Sequence, residues 1–281
     1  MWTHEIVLIL LKNWGFLLAF CLCLWAFCMS INDASIIDRF WGPLCAAPSV
    51  LTLWQTGVYS LEAIILVALS VIWAARLSYH ITTKNWNSGE DERYTEETSP
   101  ALTRVGSSPL KTLVFVFFGQ ATLAWIISAP VQFGQFYSTP MGSIDLHSIY
   151  IELNIFAWLG CGIWIIGFLV EMLGDWQLRL FKANLENKGK ILDQGLWAWT
   201  RHPNYFGDST VWFGLYFIAL GSPMGIYSLF GPLILYYFLT RLTGKDLTER
   251  VMLAKYPAYQ EYIDRTSAFF PLPPRRDGTS L

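Results

Sequence analysis

The residues best suited to chemistry lie around Pro203, which fits the first turn of a helix because its missing N–H costs nothing there. Arg201 and His202 immediately precede this helix start. A helix N-terminus next to basic side chains attracts anions, so the segment predicts a site for a phosphate or pyrophosphate. Asn204 and Asp208 are four residues apart and therefore share one helical face. The alternative is an interfacial helix start that is held only by its own cap.

A second polar run precedes this segment. Glu171, Asp175, Arg179 and Lys182 are spaced by four, four and three residues, which stacks them on one face of a continuous helix. The two carboxylates lie where an apolar run is ending, and they could accept hydrogen bonds from ribose hydroxyls or an amide. The alternative is a ladder of ion pairs on a solvated helix extension, and it is strongest for Arg179 and Lys182.

A third polar run lies inside an otherwise apolar helix. Arg76, Tyr79, His80 and Thr83 fall at positions i, i+3, i+4 and i+7, which makes a polar stripe. Because Arg76 lies several residues inside the apolar run, its charge needs a partner or a wet pocket. The alternative is an arginine whose long side chain reaches the membrane surface.

A fourth run, Arg241, Lys245 and Glu249, repeats the spacing of four residues. The tail after it mixes aromatic and charged residues, which predicts a cap folded against the membrane face. The sequence lacks GxGxxG, P-loop, GxSxG and HExxH patterns, and its histidines and cysteines show no metal-ligand spacing, so no metal is expected. Any nucleotide is therefore expected to be held by helix ends and loops.

Composition sets the elements that must position these residues. Of 281 residues, 54% are apolar and only 14% are charged, against about 25% charged in soluble domains. A helix that crosses a bilayer needs about 20 mostly apolar residues. The long charge-free stretches therefore predict an all-α polytopic integral membrane protein with seven spans, six or eight being the alternatives: Trp14–Ile31, Trp41–Thr56, Leu61–Ile81, Lys111–Pro130, Tyr150–Leu173, Tyr205–Leu220 and Ile226–Arg241.

Lysine and arginine fall almost entirely in alternate loops, which places the N-terminus outside and the C-terminus in the cytoplasm. The four polar runs then share the cytoplasmic side. Residues 1–274 are expected to form a single transmembrane domain, and residues 275–281 a disordered tail. The formal net charge of −2 provides no basic field for nucleic acid, and the expected partners are the lipid bilayer and a hydrophobic small molecule.

Several of these segments together resemble a known superfamily, that of the membrane steroid 5α-reductases and sterol C14-reductases. The chain is most similar to bacterial proteins of the uncharacterised family grouped with the 5α-reductase C-terminal domain. The resemblance covers about Asp33 to Pro271, and its motifs are Asp33-Ala-Ser35-Ile-Ile-Asp38, Trp73-Ala-Ala-Arg76-Leu77-Ser78, Glu90-Asp91-Glu92-Arg93-Tyr94, Gly195-Leu-Trp, Arg201-His202-Pro203-Asn204-Tyr205-Phe206-Gly207-Asp208 and Lys255-Tyr256-Pro257.

The resemblance implies a seven-helix enzyme of a bacterial inner membrane that holds NADPH at its cytoplasmic face. Such an enzyme reduces an activated carbon–carbon double bond, an enone, in a steroid-like or other lipid substrate. In the 5α-reductases a glutamate and a tyrosine bind the steroid's keto oxygen, and here Asp38 is the nearest acid and Tyr79 the nearest tyrosine by helical position. The residues expected to bind the cofactor are Arg76, Arg93, Tyr94, Asp175, Arg179, Arg201, His202, Asn204, Tyr205, Asp208, Arg241 and Lys245.

Two other functions compete with a reductase. Membrane methyltransferases of the isoprenylcysteine and phospholipid type share the core from Arg201 to Gly207, but their cofactor, S-adenosylmethionine, has no phosphates and little need for so many cations. A channel or transporter is the second alternative. The clustering of charge on one face, with few charges midway along the spans, argues against a transmembrane pathway.

Overall fold

The structure is a computed structural model, and it describes residues 3–57, 59–86, 108–137, 153–242, 244–256 and 258–275. Every regular element in these ranges is a helix. In chain order the helices are α1 Thr3–Ile31, α2 Trp41–Thr56, α3 Leu61–Lys84, α4 Pro109–Ile127, α5 Ala129–Phe133, α6 Ile155–Ala183, α7 Pro203–Ala219, α8 Phe230–Tyr237, α9 Lys245–Lys255 and α10 Tyr259–Arg265.

Shorter segments connect or extend these helices. A 3₁₀ helix, Ala34–Phe40, leads directly into α2, and Asp33 caps its N-terminus. A π-helical segment, Thr112–Phe118, lies within α4, and another, Phe238–Leu242, continues α8. A turn with a 3₁₀ helix, Gly225–Leu229, separates α7 from α8, where the sequence predicts a break.

Four helices, α1, α3, α4 and α6, are long and apolar enough to cross a membrane. This confirms an all-helical membrane protein within the described residues. The three other expected spans coincide with α2, α7 and α8, which are 16, 17 and 8 residues long. Residues 276–281 of the expected tail lie outside the described residues.

The chain forms two compact units. The first comprises Met1–Trp158 and Leu215–Gly231. In it, α2 packs closely on α3, because a Cβ on Gly42 would lie 2.6 Å from the backbone oxygen of Ala74. Small residues permit such close helix approach in membranes.

Neutral polar side chains join three helices inside the first unit. Fully buried Asn13 of α1 donates from Nδ2 to Thr52 Oγ1 of α2 at 2.9 Å and to Gln132 Oε1 of α5 at 3.0 Å. Gln55 Nε2 returns a hydrogen bond to Asn13 Oδ1 at 2.7 Å. Hydrogen bonds between polar side chains contribute to the association of helices where water is scarce.

The second unit comprises Leu159–Gly214 and Pro232–Leu281. Its helices α6 and α7 meet along glycines. A Cβ on Gly167 would lie 2.6 Å from Val211 N, and one on Gly214 would lie 2.6 Å from Trp164 N. This close contact brings the last turns of α6 beside the first turns of α7 and so positions the candidate site.

Candidate functional site

The meeting of α6 and α7 brings two of the predicted polar runs together. Asn204 Nδ2 donates to Asp175 Oδ1 at 3.1 Å, and Asp175 is buried. Gly174 makes room for this, since a Cβ there would lie 3.2 Å from the Pro203 ring. Asp208 is also buried, one turn further along α7. The result is a buried carboxylate and an amide in contact, with a second buried carboxylate on the same face.

Glu171 completes the acidic side of α6. It is buried one turn before Asp175, at the level of Gly207, whose Cβ position falls directly on the Glu171 backbone. Buried carboxylates are costly unless they are hydrogen-bonded or serve a ligand. Carboxylates and a side-chain amide at the start of one helix can accept hydrogen bonds from the hydroxyls of a ligand, and the side-chain amide can form hydrogen bonds with an amide of the ligand.

The side chains of Arg201 and His202 form hydrogen bonds with other residues of the protein. Arg201 Nε and His202 Nε2 both contact Glu249 Oε1, at 2.9 Å and 3.0 Å. Arg201 also donates from Nη1 to the backbone oxygens of Ile263, at 3.0 Å, and Thr266. Arg201 is 6% exposed and His202 is 3% exposed. These two side chains therefore fasten the start of α7 to the C-terminal helices.

The ionisation of this cluster follows from its contacts. Burial alone raises the pKa of Glu249, but the hydrogen bonds from His202 and Arg201 and the charge of Arg201 outweigh it and lower this pKa to about 2. Burial lowers the pKa of His202, despite the opposing effect of Glu249. At neutral pH the cluster is thus an ionised Glu249 beside Arg201 and a neutral His202.

The C-terminal segment folds onto the start of α7, and its predicted role as a cap on the membrane face stays a prediction. Thr200 Oγ1 donates to the Phe269 backbone oxygen at 2.9 Å, and the Tyr262 hydroxyl donates to the Trp197 backbone oxygen at 2.5 Å. Tyr205 stacks on His202 with ring centroids 5.3 Å apart. These contacts fix the orientation of the first turn of α7.

The three other predicted cations of the second unit, Arg179, Arg241 and Lys245, differ in their exposure. Arg179 is exposed near the end of α6. The side chain of Arg241 is 66% exposed and lies 3.8 Å from Asp246, which also pairs with Lys245. Lys245 lies one helical turn before Glu249, and its positive charge helps to lower the pKa of His202. The charge of Arg241 is thus accessible, whereas the side chain of Lys245 is only 15% exposed and pairs directly with Asp246.

The other predicted site residues belong to the first unit or lie outside the described residues. Asp38 accepts a hydrogen bond from Gln120 Nε2 at 3.3 Å. The side chain of Tyr79 is 67% exposed, and Arg76 is half-buried. Arg93 and Tyr94 lie outside the described residues.

Sequence reasoning missed the partners that fix the site. The spacing of four residues places Glu249 only at the end of a polar run, whereas in the structure it contacts Arg201 and His202, 48 and 47 residues earlier in the chain. Asp246, which pairs with both Lys245 and Arg241, has no predicted role. The available signal was its position beside Lys245. In the described part of the chain, no group of three or more histidine, cysteine, aspartate or glutamate side chains could hold a metal ion.

Comparison with known proteins gives a family and a distant relative. The sequence profile of the family described as a protein of unknown function (DUF1295) matches residues 24–266. An uncharacterised protein of Schizosaccharomyces pombe is 25% identical over an alignment 295 residues long. The alignment covers 94% of this chain and 80% of that protein. No solved structure matches the chain significantly.

Proposed function

The chain belongs to the family described as a protein of unknown function (DUF1295), and we propose that it is a membrane reductase that uses NADPH. Its substrate is a steroid-like or other lipid with an activated carbon–carbon double bond. The motifs shared with the 5α-reductases and sterol reductases support this activity. The observation that carries the proposal is the hydrogen bond between Asn204 and Asp175, beside buried Asp208.

The polar groups of the second unit suit the parts of a phosphorylated dinucleotide. Asp175, Asn204 and Asp208 offer acceptors and an amide for ribose hydroxyls and a carboxamide. Arg241 supplies accessible positive charge for phosphates, and Lys245, which is mostly buried beside it, adds a second positive charge if its contact with Asp246 weakens. The donor set therefore fits the cofactor.

Arg201 and His202 take a supporting role in this proposal. Both already contact Glu249, and Arg201 also donates to backbone oxygens. Releasing them toward a phosphate would leave Glu249 and those oxygens without partners, which is costly for buried groups. They therefore position the first turn of α7, whose Asn204 and Asp208 meet the cofactor.

When bound, NADPH supplies the hydride, and the protein orients it and excludes water. By the resemblance, Asp38 and Tyr79 hydrogen-bond the carbonyl oxygen of the substrate. A donor there stabilises the negative charge that develops on this oxygen during conjugate reduction.

The topology that suits this function has seven spans. The three shorter ones are α2, α7, and α8 together with the 3₁₀ segment before it and the π-helical segment after it. The N-terminus then lies outside, and the cofactor residues face the cytoplasm of a bacterial cell. This arrangement gives a soluble cofactor access to the charged face, and a lipid access through the apolar helices.

Binding measurements on purified protein test the proposal. We expect saturable NADPH binding that Asn204→Ala and Asp208→Asn each weaken about tenfold, the effect of losing one hydrogen bond to a charged or buried partner. Glu186→Ala removes an exposed carboxylate of the same unit and serves as the control. Equal effects of all three substitutions would show that this face of α7 does not bind NADPH. Saturable binding of S-adenosylmethionine alone would favour the methyltransferase.

A further inference from the structure

An open cleft of about 480 Å³ lies in the first unit, between the end of α1, the 3₁₀ helix before α2, and the end of α3. Its walls are largely apolar and comprise Phe27, Ile36, Phe40 and Pro43. This volume falls in the range of small-molecule sites, about 300 to 1,000 Å³. None of the residues assigned to the cofactor or to the reacting carbonyl lines it.

Three polar residues share the cleft with this apolar wall. Ser78 and Thr82 are one turn apart on α3, and Arg39 lies in the last turn of the 3₁₀ helix on the other side. The Ser78 hydroxyl donates to the Arg39 backbone oxygen at 2.7 Å, which ties the two elements together and fixes the Arg39 backbone. Arg39 and Thr82 both line the cleft, so the guanidinium and the Thr82 hydroxyl can bind a ligand there.

The neighbouring acids do not neutralise Arg39. The carboxylate of Asp33 accepts from the backbone N–H and the hydroxyl of Ser35, at 3.0 Å and 2.6 Å. Asp38 accepts from Gln120. Among the described residues, no acidic side chain forms an ion pair with Arg39. A cation at the boundary of a membrane helix bundle is costly without an anion or water beside it.

We propose that this cleft binds an amphiphile with an oxyanionic head, a carboxylate or a phosphate. The head pairs with the Arg39 guanidinium and the Thr82 hydroxyl, and the first part of the acyl chain lies against Phe27, Ile36 and Phe40. Charge-assisted hydrogen bonds and burial of apolar surface then act on the same molecule. The inference stands apart from the proposed reductase, since it uses none of the residues assigned to it.

Equilibrium binding to the purified full-length chain tests the site with oleate and with methyl oleate, which has the same chain but no charge. We expect saturable oleate binding, with methyl oleate at least about tenfold weaker. Arg39→Gln should weaken oleate binding about tenfold, and Arg39→Lys should restore part of it. Lys84→Gln removes an exposed charge from the end of α3, the helix that carries Ser78 and Thr82, and should leave binding unchanged.

Two further measurements identify the kind of amphiphile and control for misfolding of the Arg39 variant. Binding of phosphatidylglycerol in phosphatidylcholine nanodiscs, compared with binding of oleate, distinguishes a membrane phospholipid from a free fatty acid. Weaker binding of either ligand to Arg39→Gln supports the proposal. Ile36→Trp fills the cleft and leaves every charge in place, so it should also abolish binding. Equal binding of methyl oleate and oleate, or equal effects of Arg39→Gln and Lys84→Gln, would overturn the proposal.

Discussion

Glu249→Gln is the substitution whose effect follows most directly from the geometry. It removes the charge that faces Arg201 and His202 but keeps an oxygen that can accept from both. The fall in the pKa of Glu249 from 4.5 to about 2 corresponds to about 3 kcal/mol of stabilisation at neutral pH. Because its side chain is 14% exposed, solvent screens part of this. We expect a loss of about 2 kcal/mol.

Trypsin cleavage of the C-terminal helices measures this loss. Arg250 and Lys255 lie in α9, so cleavage after them requires local opening of the segment that Glu249 holds. When opening and closing are fast, the cleavage rate follows the population of the open state. A loss of about 2 kcal/mol raises that population, and hence the rate, about 30-fold.

Glu261→Gln is the matched control for this measurement. Glu261 is exposed on α10, in the same C-terminal segment, so its substitution should leave cleavage unchanged. Equal cleavage rates in wild type, Glu249→Gln and Glu261→Gln would refute the view that the ionised carboxylate fastens this segment to α7.

Three further predictions concern stability. Acidification should speed C-terminal cleavage, because the lowered pKa of His202 gives stability that is fully present above about pH 6.5 and is lost as the imidazole binds a proton at lower pH. Glu249 adds a second loss only below about pH 4.5. Cleavage by an acid-tolerant protease between about pH 7 and pH 4 checks the first loss. Asn13→Leu should lower the free energy of unfolding by about 2 kcal/mol, since it leaves buried polar partners unsatisfied, and a fall in thermal melting temperature in detergent reports it. Gly207→Ala should cost about 1–3 kcal/mol by forcing α6 from α7, whereas Gly162→Ala, where a Cβ meets nothing within 4 Å, should leave the same melting temperature unchanged.

Sequence patterns predict the helices better than their partners. The charge-free stretches match helices because a long apolar run without charges suits the bilayer core, and Pro203 begins α7 as its fixed backbone angle predicts. The spacing of Asn204 and Asp208 is equally local. All of these signals are set by residues within one or two helical turns.

The contacts between helices are absent from such patterns. Asp175 pairs with Asn204 because glycines let α6 and α7 approach closely. Helical spacing reports which residues share a face, but it does not report which face of another helix meets it. For the same reason, spacing along the chain does not show that Glu249 contacts Arg201 and His202. The types and position of Arg201 and His202 favour an anion site, but in the structure both side chains belong to a cluster with Glu249.

An experimental structure of the protein with NADPH gives the strongest test of the proposed cofactor site. We expect density for a dinucleotide against the second unit, with Asn204 and Asp175 in contact with it and its phosphates near Lys245 or Arg241. Density for S-adenosylmethionine at this position, or a fully saturated sample whose NADPH lies away from Asn204 and Asp175, would contradict it.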